Sequence, residues 1–86
     1  MDLKSLRQKI DECDKELLGV LSERMNFAGQ IGNLKDEEGA PIEDTTRDSE
    51  VLSSRASWAS SRHLSTEMVK EIFESILKES KRRQKR

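Results

Sequence analysis

From Leu3 to Leu34 the chain carries apolar residues at alternating steps of three and four: Leu3, Leu6, Ile10, Cys13, Leu17, Val20, Phe27, Ile31 and Leu34. This spacing is a heptad seam along one helix, with Leu3 at an a position. Arg24 interrupts it, taking the a position between Val20 and Phe27. Helix formers fill the stretch and Pro41 lies beyond it, so one helix is predicted from about Asp2 to about Glu38, stopped by Gly39. A break near Gly29 is the alternative, because Gly19, Gly29 and Gly32 each cost about 1 kcal/mol against alanine inside a helix. The seam continues through Ile31 and Leu34, which argues against that break.

Length turns the seam into a statement about assembly. At about 1.5 Å per residue the 32 residues from Leu3 to Leu34 span about 48 Å, whereas a compact 86-residue globule is about 30 Å across. The helix overhangs its own domain, and the segments that remain are too short to cover its apolar face. A homodimer with the long helices paired is therefore expected. The thin apolar content, 33% of residues against 38% charged, points the same way, since a single domain spanning residues 1–86 has little core of its own.

Residues 39–44 read as a loop, and Asp44 is placed to cap a second helix from about Thr45 to about Ser61. Val51, Leu52, Ala56 and Ala59 form its weak inner face, with Trp58 as its one large anchor. Ser65 caps a third helix, on which Leu64 and Val69 are spaced as a hydrophobic staple and Val69, Ile72, Phe73, Ile76 and Leu77 form the apolar stripe. Ser80 and Gln84 prolong that stripe with polar groups. No strand alternation appears, so the expected fold is all-α: one long and two shorter helices per chain, interlocked into an intertwined helical homodimer.

Sixteen basic and 17 acidic side chains leave a net charge of −1, which gives no general attraction to nucleic acid or to an anionic membrane. Two Phe, one Trp and no Tyr offer little for stacking on bases. The basic residues Lys81, Arg82, Arg83, Lys85 and Arg86 read as a solvated helix end that complements the helix dipole. Cys13 is alone, charges run throughout the N-terminal segment, and no stretch is apolar enough to cross a bilayer, so a reducing cytoplasmic setting is expected. With one His, His63, and no His/Cys cluster, neither a metal nor a cofactor is expected.

What stands out is a set of polar residues on faces that should point inward: Arg24, Lys35, Ser80 and Gln84, with Arg47 and Asp48 just inside the second helix. Taken singly, each has an ordinary explanation: a polar a residue fixes coiled-coil register, Lys35 snorkels, and Ser80 and Gln84 bridge helices. Together they place cations and amides where an unpaired charge is expensive, and an anionic ligand would supply the partner. Arg24 and Lys35 are 11 residues apart, about 16 Å along the axis and about 20° in azimuth, so both can lean toward one ligand. Arg7 lies 17 residues before Arg24, about 26 Å away, and can join that site only from a second chain.

The set resembles the all-α class of chorismate mutase. The resemblance rests on LRQKIDECDKELLGVLSERM, IGNLK, GAPIEDTTRD and IFESILKESKRRQ, and covers nearly the whole chain. It implies a dimer with two shared active sites that rearranges chorismate to prephenate by a concerted pericyclic shift. By matching positions, it implies that Arg24 and a second copy's Arg7 bind the two carboxylates, with Ser80 and Arg47 assisting. Lys35 and Gln84 would donate to the ether oxygen, and Asp48 with the backbone amide of Asp44 would hold the ring hydroxyl. On this pattern Lys35, Gln84, Arg24 and Asp48 are the catalytic set. The chain departs from it at Asp48, where the family usually carries Glu, one methylene longer. Three other readings are a pyruvate lyase acting on isochorismate, which RASWASS somewhat resembles, a regulatory domain that senses chorismate or prephenate, and a helical interaction module. Retention of Asp44 and Asp48 favours the mutase over the lyase, and the pair Lys35 and Gln84 argues against mere sensing.

Overall fold

The computed structural model describes residues 1–85. Three helices follow one another: α1 (Leu3–Glu38), α2 (Thr45–Ser61) and α3 (Thr66–Gln84), with no strand among the described residues. Each begins on a side chain able to accept from an otherwise orphaned backbone N–H. Asp2 accepts from Ser5 N at 2.8 Å, Asp44 from Arg47 N at 3.0 Å, and Ser65 from Met68 N at 3.2 Å. α1 ends at Gly39, whose φ of 69° reverses the chain without a Cβ penalty. His63, with φ 58°, turns the chain between α2 and α3.

α1 runs unbroken past Gly29, and its 36 residues set the long dimension of the molecule, 55 × 23 × 15 Å. The radius of gyration is 16.0 Å, well above the value of about 12 Å for a compact chain of this length, because the first half of α1 projects beyond the other helices. α3 packs against both α1 and α2, which do not pack on each other. The residues at those two contacts are small or slender: Ala28 and Gly32 from α1, Val51 and Ala59 from α2, and Val69, Ile76 and Ser80 from α3 are buried. The apolar seam of α1 lies outside this core, with Leu3, Ile10, Leu17 and Val20 each 58–62% exposed.

Trp58 departs from its expected role. It is 52% exposed rather than an anchor, and its ring covers the guanidinium of Arg55, 4.5 Å from the ring centroid. Leu64 and Val69 line one shallow groove beside it, consistent with the staple. Among the described residues no helix is long and apolar enough to cross a membrane.

Candidate active site

A cavity of about 430 Å³ opens where all three helices and the α1–α2 loop meet. Helical periodicity builds its walls. Arg24, Ala28, Ile31 and Lys35 recur at three- and four-residue steps along α1; Arg47, Asp48, Val51 and Arg55 do so along α2; Leu77, Ser80, Lys81 and Gln84 complete it from α3. Seven of the eight residues singled out in the sequence line this one space: Arg24, Lys35, Asp44, Arg47, Asp48, Ser80 and Gln84. Arg7 does not. It is exposed on the projecting half of α1, outside the cavity.

The α1–α3 wall is tied by two side-chain contacts. Arg24 Nη1 donates to Ser80 Oγ at 2.6 Å, while the same hydroxyl donates to Ile76 O at 2.8 Å. The single proton of Ser80 is thereby committed to its own helix, and its lone pairs hold Arg24 in place. Lys35 Nζ donates to Gln84 Oε1 at 3.0 Å and to Ile42 O at 2.9 Å. The reversal at Gly39 brings Ile42 back to this position, with Ala40 N donating to Lys35 O at 2.8 Å. An ammonium has three protons and these contacts use two, which leaves one for a ligand. Since only its carbonyl oxygen can accept from Lys35, the NH₂ of Gln84 stays available as a donor.

Glycine makes this wall feasible. A Cβ on Gly32 would lie 2.5 Å from Gln84 Cα and 2.6 Å from Gln84 O, so only a residue without a side chain lets α3 come this close to α1. By local propensity alone Gly32 is only a helix penalty. Its contact with the end of α3 is a tertiary fact that local propensity does not contain.

Positive charge dominates the cavity. Burial lowers the pKa of Arg24 from its ordinary value, and the nearby charges of Arg55 and Arg47 lower it further; Arg55 is lowered by burial and by Arg47. Among the described residues neither Arg24 nor Arg55 has a carboxylate within 4.0 Å. Arg47 is exposed at the rim, 3.6 Å from Glu50.

Two lining residues, Lys81 and Arg55, were missed in the sequence. Lys81 belongs by sequence to the basic tail, but its Nζ lies 2.5 Å from Asp48 Oδ2 and 3.2 Å from Glu43 Oε2, and the hydrogen bond to Asp48 holds its pKa above the ordinary value. Asp48 is thus braced across the α2–α3 wall by a cation three residues before Gln84. Arg82, Arg83 and Lys85 are the exposed part of that tail, the first two paired with Glu79, while Arg86 lies outside the described residues. One more step along the face that carries Arg47, Asp48 and Val51 would have reached Arg55.

The sequence model of chorismate mutase type II matches residues 6–85. The chain belongs to this family. Among solved structures, a conserved hypothetical protein from Pyrococcus furiosus is 40% identical, with a TM-score of 0.78 over 96% of this chain and 95% of that one. The chorismate mutase of Methanocaldococcus jannaschii is 26% identical over 83 residues, which are 96% of this chain and 84% of that protein. The T-protein of Enterobacter agglomerans is 29% identical over 79 residues, and the bifunctional chorismate mutase/prephenate dehydratase of Escherichia coli 30% over 78. The chain spans about a fifth of the length of these two relatives, 21% and 20%. The residues matched to chorismate mutase type II include every side chain that lines the cavity.

Proposed function

We propose that this chain is a chorismate mutase that rearranges chorismate to prephenate, working without a cofactor in a cytoplasmic homodimer. One observation carries the reading within this family: the cavity joins Arg24, Lys35 and Gln84 on a single wall, with cationic groups that lack carboxylate partners. A dicarboxylate neutralises them. The reaction is unimolecular and concerted, so no side chain need act as nucleophile or proton carrier. The protein holds a flexible substrate in its reactive chair, which removes entropy from the barrier. It also favours the polarised transition state with donors already in place.

In this reading Arg24, held by Ser80, binds one carboxylate, and Arg47 assists from the rim. The remaining proton of Lys35 and the NH₂ of Gln84 meet the ether oxygen, where negative charge grows as the C–O bond breaks. Asp48 and the Asp44 amide receive the ring hydroxyl, with Lys81 holding the shorter Asp48 carboxylate in position. Arg7 reaches the second carboxylate from a second copy. The support for pairing is the exposed α1 seam on the half of the helix that projects past its own core. Burying such side chains contributes about 25 cal/mol per Å² of apolar surface.

The test follows chorismate disappearance, with the product identified by chromatography. Prephenate is expected; salicylate with pyruvate from isochorismate, or no turnover, would refute the mutase reading. Gln84→Glu adds a test of mechanism. At pH 7.5 an ionised carboxylate accepts only and sets negative charge beside the breaking bond, so kcat/KM should fall about a hundredfold, the scale for loss of one such donor. Below its pKa, ordinarily about 4.3, the new side chain can donate, so activity should recover toward acid; Lys35 would lower the midpoint and burial would raise it. A Gln84→Glu protein that matches wild type at pH 7.5 would remove Gln84 from the transition state.

A further inference from the structure

Arg55 is held in an unusual way for a surface-facing arginine. Its guanidinium carbon sits 4.5 Å from the centroid of the Trp58 ring and 5.7 Å from that of Phe73. Stacking of this kind fixes the plane of the group and leaves its N–H bonds pointing outward around the edge. Of the five N–H donors of an arginine, a protein acceptor takes one from Nη1, at Ser54 Oγ 3.0 Å away. The Nε atom is buried and has no hydrogen-bond partner. The Nη groups are therefore the donors open to a ligand, and a cation crowded by others is destabilising unless an anion meets it.

Position supplies the ligand's character. Arg55 lines the same cavity as Arg24, on the helix face that also carries Arg47 and Asp48. Of the charges acting on Arg24, that of Arg55 has the largest effect. The two guanidiniums enter the cavity from different helices, α2 and α1, and the described residues place no carboxylate within 4.0 Å of either. A planar, pre-oriented guanidinium with only one of its Nη protons taken by the protein is the geometry that receives a carboxylate through two parallel hydrogen bonds from its outer Nη groups.

We infer that Arg55 is a substrate-binding residue which, with Arg24, holds one carboxylate of a dicarboxylate substrate. The inference rests on the mutase reading for the identity of that substrate and adds a contact that the sequence pattern did not assign. Trp58 and Phe73 then act as positioning residues, since they set the plane of the guanidinium before the ligand arrives. Neutralisation of Arg55 also relieves the repulsion between it and Arg24, so the two arginines bind one anion more tightly than either would alone.

The experiment compares wild type, Arg55→Met and Arg55→Lys in chorismate kinetics, with folding checked by circular dichroism and thermal melting. Methionine keeps an unbranched stem against Trp58 and Phe73 but no donor; lysine keeps the charge but not the fork. Arg55→Met should raise KM about ten- to a hundredfold, the scale of a lost charge-assisted hydrogen bond, and change kcat less than about threefold. Arg55→Lys should fall between that variant and wild type. A purely structural role would instead lower the melting temperature without moving KM, so a KM within about twofold of wild type in a folded Arg55→Met protein overturns the assignment.

A second readout needs no turnover and no variant that folds. Trp58 is the only tryptophan in the chain and touches Arg55, so prephenate should shift its emission saturably in wild type. If both variants fail to fold, absence of that shift overturns the assignment. The two levels of inference also fail differently. A wild type that binds prephenate at Trp58 but leaves chorismate intact refutes the mutase reading and keeps Arg55 as an anion site. A wild type that turns chorismate over, beside an Arg55→Met protein with unchanged KM, does the reverse.

Discussion

Arg7→Ala and Lys35→Ala are each expected to retain under about one per cent of wild-type activity, yet a refolded equimolar mixture of the two should recover about a quarter. The reason is geometric. Arg7 is exposed on the projecting half of α1, about 26 Å along the helix from Arg24, and lies outside its own chain's cavity. If a second copy brings it there, every site combines Lys35 from one chain with Arg7 from the other. Random pairing makes half of the dimers mixed, and each mixed dimer has one intact site and one doubly damaged site. Size-exclusion chromatography with light scattering should give about twice 9.9 kDa for wild type and for both variants. Subunit exchange shown by mass spectrometry without any return of activity would place Arg7 outside the site; a well-folded, active monomer would end the shared-site proposal altogether.

Gly32→Ala is expected to lower kcat/KM about a hundredfold while leaving the fold largely intact. The added Cβ would lie 2.5 Å from Gln84 Cα, closer than such atoms approach, and the obstruction is backbone rather than a side chain that could swing away. Two effects of similar size oppose each other in stability: alanine gains about 1 kcal/mol of helix propensity, and overpacking costs about 1–3 kcal/mol. Because Gln84 is the last residue of α3, the strain is relieved by moving that terminal turn rather than by unfolding the helix pair. The move carries Gln84 away from Lys35, now 3.0 Å from it, and disrupts the paired donors proposed to meet the breaking ether bond. Gly29→Ala is the matched control. Its Cβ would meet Arg83 O at 4.0 Å, an ordinary contact, so that variant should keep wild-type kcat/KM and melt higher. Wild-type kinetics in Gly32→Ala would show that the close approach has no part in catalysis.

Much of this molecule was legible from residue order because its signals are local. A helix starts where a side chain can accept from a free N–H and stops where a glycine admits a positive φ, so Asp44, Ser65 and Gly39 marked helix ends that the structure has, whereas the capping role of Asp2 shows only in the structure. The seam of α1 was equally plain, because 3.6-residue periodicity is a property of one helix alone. Polar side chains on apolar faces showed where a cavity would be, since a charge facing inward needs a counterpart. Arg24, Lys35, Ser80 and Gln84 are therefore legible without any knowledge of how the helices cross.

Other features depend on which helix meets which, and no single helix encodes that. α3 lies between α1 and α2, so Lys81, one residue past Ser80, meets Asp48 on α2 although its sequence neighbours Arg82 and Arg83 face solvent. A tail of consecutive cations conceals such a difference, because composition is uniform where orientation is not. Arg55 was concealed by the opposite circumstance: a charged residue beside Trp58 looks like surface until the ring is seen to cover its guanidinium. Gly32 looked like a weakness of α1 and is the place where the end of α3 passes closest. Residue order therefore determined the three helices, their caps, the long apolar seam and the chemical character of the cavity, all set by interactions within a few residues. Only the tertiary structure decided how Lys81 is spent, what holds Arg55 and why position 32 has no side chain, because each depends on a distance between groups far apart in the chain.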